Sequence, residues 1–332
     1  MASSAFTRLA TIAFGLAFLV VVLGAWVRLS DAGLGCPDWP GCYGHLDVPK
    51  SEIEVAAANA AFPQRPLEAH KAWKEMIHRY AAGTLGLLVA TLAVMAWRQR
   101  HDPGQPVLVP LALAVLIVFQ ALLGMWTVTL QLKPLVVVTH LLGGLATLAL
   151  LWWLVLSTRR LVPARAADGP RGWALLALTV LAVQVALGGW TSANYAALAC
   201  TDFPTCHGQW WPRADFAEGF VLWRGLGINY EFGVLDGAAR TAIHIAHRLG
   251  ALSVLLVVGA LGLRLALDTY WRGLGTTLLI VLLLQIALGI ANVLLVLPLP
   301  VAVAHNCGAA LLVLALVTVN QRLWQRAGVA TS

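Results

Sequence analysis

MIHRYAAGTLGLLVATLAVMAW at 76–97 and TAIHIAHRLGALSVLLVVGALGLRLA at 241–266 are apolar runs, each with a His-Arg pair near its start. A membrane-crossing helix needs about 20 apolar residues, and both runs are long enough. His78 in the first run matches His247 in the second at an offset of 169 residues, and His140 matches His305 at 165. Ionisable residues inside a membrane are rare and mark functional sites by default. Neutral imidazole is a common axial ligand of haem iron, so a duplicated quartet of histidines points to two bis-histidine haem sites. The competing account is four histidines that hydrogen-bond between helices. Duplication of the whole quartet favours ligation.

Composition agrees with the runs. The 332 residues are 60% hydrophobic and 11% charged, against about half and a quarter in a soluble domain, so the chain reads as an all-α polytopic membrane protein. The net charge of +7 is scattered rather than gathered in a stripe, which excludes a nucleic-acid interface and leaves the lipid bilayer as the surrounding partner. Eight spans are expected near 9–29, 76–97, 107–130, 135–157, 172–193, 241–266, 273–297 and 301–322. The first is too long for a signal peptide and no small-residue cleavage site follows closely. GLGC at 33–36 has glycine where a lipoprotein box needs an apolar residue.

Orientation follows from the short connections. Arg8, Arg98, Arg100, Arg159, Arg160, Arg165, Arg171, Arg264, Arg272, Arg322 and Arg326 gather on one side, whereas the short connections opposite carry only Lys133. The positive-inside rule then places both termini in the cytoplasm, and the long loops 30–75 and 194–240 outside the cytoplasmic (inner) membrane.

An internal repeat organises the spans. LGAW (23–26) matches LGGW (187–190), FQALLG (119–124) matches LQIALG (284–289), and Cys36 and Cys42 match Cys200 and Cys206 at an offset of 164. Each repeat holds four spans, an even number, so the halves share one orientation. The expected architecture is two pseudo-symmetric four-helix bundles, 1–158 and 159–332, related by an axis along the membrane normal. All four histidines are expected within the first two turns of inward-running helices, at one depth near the outer leaflet. Gly143 and Gly308, three residues after His140 and His305, leave room for a flat macrocycle.

Arg79 and Arg248 follow two of the histidines and have two readings, as partners for haem propionates or as interfacial arginines that snorkel. Glu75 shares a helix face with His78, while His244 takes the same place before His247. One half thus has an acid beside its ligand, which suggests proton-coupled chemistry there; a carboxylate ending a wet loop is the plain alternative. CPDWPGC (36–42) and CTDFPTC (200–206) favour a disulfide in each outer loop, structural or redox-active, since a spacing of five residues fits zinc poorly. Cys307 reads as a small buried residue. Charged and apolar residues across 45–75 suggest a partly amphipathic surface helix or a solvated loop helix.

RLSDAGLGCPDWPGCYG (28–44), KEMIHR (74–79), VVTH (137–140) and AHRLG (246–250) resemble the haem A synthases, and the similarity runs through essentially the whole chain. The resemblance implies an oxidoreductase that converts the C8 methyl of haem O to a formyl group, giving haem A for terminal oxidases. It implies His78 and His140 as ligands of substrate haem O, His247 and His305 as ligands of haem b, and Glu75 as a catalytic residue that takes part in the chemistry. It also implies contact with a haem O synthase, with terminal oxidase assembly machinery and with an unidentified electron partner. Replacing Glu75 with Ala is then expected to leave haem binding and abolish turnover. The principal alternative is a b-type cytochrome carrying electrons from quinol, which calls for haems at two depths rather than one.

Overall fold

In a computed structural model, residues 2–159 and 170–324 are described. Their helices are α1 (Ser4–Leu29), α2 (Glu52–Ala61), α3 (Ala69–Arg98), α4 (Leu108–Thr129), α5 (Pro134–Arg159), α6 (Arg171–Ala193), α7 (Phe216–Gly219), α8 (Gly237–Leu267), α9 (Arg272–Leu294) and α10 (Leu299–Trp324). All but α2 and α7 are long and apolar enough to cross a membrane, and these eight make the chain an integral membrane protein. Helices suit that solvent because each satisfies its own backbone hydrogen bonds. Arg160, Arg165 and Arg326 lie outside the described residues.

Helices α1, α3, α4 and α5 pack in a closed ring, in the order α1–α3–α4–α5 and back to α1. Helices α6, α8, α9 and α10 close a second ring in the same order. The rings meet where α5 packs on α10, α1 on α10 and α6 on α5. One bond there joins Trp152 Nε1 to Thr318 Oγ1 at 2.8 Å. Small residues allow close approach: Ala10, Ala13 and Ala17 of α1 and Ala174 and Ala177 of α6 are buried in the shared core with Leu148, Leu151 and Leu154 of α5.

Connections recur as well as helices. The α4–α5 turn places Gln131 and Leu132 at φ 49° and 59°, and the α9–α10 turn places Val296 and Leu297 at 59° and 58°. Leu132 N donates to Thr127 O and Leu297 N to Asn292 O, both at 2.8 Å. Residues on the lipid-facing side remain apolar, as with Leu87, Leu256 and Leu283.

Two helices begin earlier than the apolar runs suggest. α3 starts at Ala69 and α8 at Gly237, so His78 and His247 stand nine and ten residues from the helix start, beyond the expected two turns. His140 and His305 stand six residues from the starts of α5 and α10, as expected. The reason is that α3 and α8 continue outward through polar residues such as Lys71, Lys74 and Arg240, which a hydropathy reading assigns to loop. Lys71, Trp73 and Lys74 therefore belong to α3, and the separate surface helix shrinks to α2, started by a Ser51–Glu54 capping box. Cys307 is half-buried rather than buried.

Candidate functional site

The histidines occupy diagonals. α3 and α5 do not pack on each other, and neither do α8 and α10, so His78 faces His140 across the first ring and His247 faces His305 across the second. Each pair is close enough to interact electrostatically. The remaining two helices of each ring supply glycines against which the imidazoles lie. A methyl group at Gly24 or Gly124 would come 3.0 and 3.5 Å from Cε1 of His78 and His140. At Gly188 or Gly289 it would come 3.1 Å from Cε1 of His247 and His305. These four glycines belong to the repeated Leu-Gly pairs, whose role as seats for the rings the sequence did not disclose.

Whether these residues suit a haem can be judged from their unused polar atoms. Nδ1 of His78, His140 and His305 is buried without a partner, as are Oε1 of Gln184 and Gln285. Buried polar groups are ordinarily paired, so partnerless atoms on three of the histidines and on nearby glutamines suit a place where a bound group would reorganise the bonding. Among the described residues no three His, Cys, Asp or Glu side chains gather as a metal cluster. Two facing imidazoles are the donor set for an iron whose other ligands come from a macrocycle. The residues present fit a haem in each ring.

Above each ring sits a disulfide loop. Cys36–Cys42 and Cys200–Cys206 are both closed, with Cα–Cα separations of 4.8 and 4.9 Å. Asp38 accepts from the amides of Tyr43 and Gly44, both at 2.7 Å, and Asp202 accepts from those of His207 and Gly208 at 2.7 and 3.0 Å. Tyr43 and His207 both have φ 54°, and Trp39–Pro40 and Phe203–Pro204 are both cis. The matched sequences therefore fold into matched loops.

The arginines after His78 and His247 hold these loops in place. Arg79 donates to the carbonyls of Asp38 at 3.0 Å, Pro40 at 3.2 Å and Gly41. Arg248 donates to Asp202 O at 2.7 Å and Thr205 O at 2.8 Å. Neither of the two roles read from the sequence describes these contacts, because a guanidinium fork beneath a turn meets several carbonyls at once.

Glu75 is 5% exposed, so it does not end a wet loop. Its Oε2 accepts from the Cys36 amide at 2.9 Å and its Oε1 pairs with Arg79. His244 takes the corresponding place in the second ring, with Nδ1 3.0 Å from Ala196 O. A carboxylate tied to the first loop thus has as its counterpart an imidazole tied to the segment before the second.

Polar contacts that the sequence reading missed lock the outer segments together. Lys133, 2% exposed, donates to the carbonyls of Arg224 and Gly225, both at 2.7 Å, with Nζ 3.3 Å from the Trp223 ring centre. Arg65 bridges Leu34 O at 2.8 Å and Glu231 at 2.9 Å. Arg28 reaches across the rings to Ser192 O at 2.7 Å and Tyr195 Oη at 3.0 Å. A lysine in an otherwise apolar turn was the available signal for Lys133. Nothing local distinguishes Arg28 or Arg65.

Eight membrane helices in two rings, with paired histidines on the diagonals and a disulfide loop over each pair, define a polytopic membrane protein with a duplicated histidine site. Residues 7–317 match the COX15-CtaA family, described as cytochrome oxidase assembly protein, and the chain belongs to that family. It is 49% identical to the haem A synthase of Shewanella oneidensis over 311 residues, 93% of each chain. It is 29% identical to the haem A synthase of Caulobacter vibrioides over 318 residues, 89% of each. With that of Halalkalibacterium halodurans it shares 28% over 297 residues, 86% of each.

Proposed function

We propose that this chain is a haem A synthase, an oxidoreductase that converts the C8 methyl of haem O to the formyl group of haem A. The observation that carries the reading is the pair of diagonal histidine sites, seated on glycines, in a chain similar to haem A synthases along nearly its whole length. His78 and His140 bind substrate haem O, and His247 and His305 hold a resident haem b. Haem b, when bound, supplies one-electron transfer.

The protein's own groups orient and shield. The diagonal histidines would hold the macrocycle between the two glycine-bearing helices of each ring. The disulfide loops cover the rings from the outer side and limit entry of water. Glu75 lies one turn outward of His78 on the same face, where it holds or accepts a proton, or stabilises positive charge developing at the methyl. Arg79 has its terminal nitrogens engaged and holds the loop. Arg248 keeps a buried Nε without a partner, a donor available to a propionate.

The two rings are related by an axis along the membrane normal, with both termini cytoplasmic and 30–75 and 194–240 outside an inner membrane. Haem O comes from a haem O synthase, haem A passes to oxidase assembly machinery, and a separate electron partner completes the cycle. A b-type cytochrome is disfavoured because each histidine pair lies beneath its own disulfide loop, which points to one depth rather than two.

The test is haem extraction from a host that lacks haem A and expresses a haem O synthase, with and without this chain. Haem A, or its hydroxylated precursor, appearing only with the chain is expected. Recovery of haem B and haem O alone from a pigmented protein would overturn the enzymatic reading.

A further inference from the structure

The four histidine positions are built to one plan with one exception. Four residues before each seating glycine the sequence reads QALLG (120–124), QVALG (184–188) and QIALG (285–289), but VVVLG (20–24) in α1. Three residues after each histidine it reads HLLG (140–143), HRLG (247–250) and HNCG (305–308), but HRYA (78–81) in α3. Glutamine and glycine occur together in three places, and valine and alanine replace both in the fourth.

The structure shows why the two positions go together. The amides of Gln120, Gln184 and Gln285 occupy the space a methyl group would take at Gly143, Gly250 and Gly308. Glycine is what admits the amide beside the imidazole. Gln184 Nε2 lies 3.0 Å from His247 Nδ1 and donates to His247 O at 3.0 Å. Gln285 Nε2 lies 3.4 Å from His305 Nε2. Each of the three amides keeps one buried atom without a partner: Nε2 of Gln120 and Oε1 of Gln184 and Gln285.

An imidazole bound to iron through Nε2 carries its hydrogen on Nδ1, and a partner for that hydrogen fixes ring orientation and strengthens ligation. Gln184 already lies at such a nitrogen, His247 Nδ1, whereas Gln120 and Gln285 stand beside their rings and must turn to reach the unpartnered Nδ1 of His140 and His305. A side-chain amide offers an acceptor at one end and a donor at the other, so rotation can present the acceptor. Val20 offers neither, and the Ala81 methyl stands where an amide would lie.

We propose that Gln120, Gln184 and Gln285 are positioning residues that secure three axial histidines, and that Val20 and Ala81 leave His78 as the releasable ligand through which the first ring exchanges its macrocycle. The proposal rests on the haem A synthase reading, which requires one haem to turn over and the other to stay. A ring that must admit haem O and discharge haem A needs a ligand that lets go; a ring with a resident haem needs both ligands held. The distribution of glutamines matches that division.

The experiment uses the full-length protein, purified with its haems from cells making haem O, and follows haem transfer to excess apomyoglobin, identified by chromatography. In the parent protein the first-ring haem is expected to leave on the order of tenfold faster than haem b. V20Q/A81G installs the missing amide and is expected to slow that release by about tenfold, with haem b loss unchanged. Q184V/G250A removes an amide from the second ring and is expected to speed haem b loss by about tenfold. Low-spin electron paramagnetic resonance signals from the haem-loaded variants report the change in ring orientation without turnover. Release rates in V20Q/A81G equal to the parent overturn the proposal. If that variant does not fold, Q184V/G250A decides, and unchanged haem b loss overturns it. Loaded parent protein with unchanged variant rates refutes this inference alone, whereas a parent that retains no haem refutes the functional reading beneath it.

Discussion

The caps over the two rings share a framework and differ in how it is docked. In the first, Gly35 lies against α3 so closely that a methyl there would come 2.6 Å from the Lys71 carbonyl carbon. The corresponding residue of the second cap is Ala199, whose carbonyl lies 2.8 Å from His207 Nε2 within its own loop. The first cap is drawn onto its helix by a carboxylate that accepts from the Cys36 amide. The second is joined through a carbonyl–imidazole contact at His244. The two loops share a framework, and only the first is tied to an acid.

The largest expected contrast comes from the histidines. Under the proposed function, H247A loses haem from the purified protein and with it turnover, while H78A keeps second-ring pigment and loses turnover by at least about a hundredfold. Visible spectra, paired with haem chromatography, check both. Equal pigment loss in the two variants would erase the distinction between resident and substrate rings.

Next is the acid itself. E75Q keeps an acceptor for the Cys36 amide but removes the charge facing Arg79, so activity is expected to fall by on the order of a hundredfold with haem content unchanged. E75A also removes the acceptor of the Cys36 amide, and thermal unfolding should show it as the less stable of the two. Full activity in E75Q would reduce Glu75 to a loop tether.

Smaller effects probe the caps. G35A introduces a methyl against backbone that cannot move aside as a flexible side chain would, with an expected loss of about 1–3 kcal/mol in thermal or denaturant unfolding. A neutral result would mean that the first cap docks no more tightly than the second.

The smallest effect concerns acidity at the second cap. Hydrogen bonds from Thr205 Oγ1 and the Gly208 and His207 amides hold the Asp202 carboxyl down at about 2. A depressed carboxylate value contributes stability that is complete above its unfolded value of about 3.9 and is lost as pH falls through about 2. Amide exchange at His207 and Gly208 should therefore stay slow down to about pH 4 and accelerate between there and about pH 2. Fast exchange at neutral pH would show that the turn is not held by Asp202.

Much of this was legible beforehand for identifiable reasons. A hydrocarbon core admits only long apolar helices, so eight runs of sufficient length announced eight helices. The duplicated histidines and cysteines were visible because repeats preserve spacing. The starts of α3 and α8 were missed because Lys71, Lys74 and Arg240 lie beyond the apolar run while the backbone remains helical. Arg79 and Arg248 were seen as important, but their acceptors, loop carbonyls some forty residues away, leave no local trace. The glutamine-and-glycine pairing was present in the letters, yet its meaning depends on two helices meeting at one level.

The sequence by itself determined the number of spans, the recurrence of the histidines and the presence of an acid beside only one pair, because burial in lipid and helical period act on neighbours along the chain. The tertiary structure decided that the histidines face each other across diagonals, that Glu75 is buried against Cys36, and that an amide accompanies three of the four imidazoles. Those relations join residues distant along the chain, and only closure of the rings brings them together.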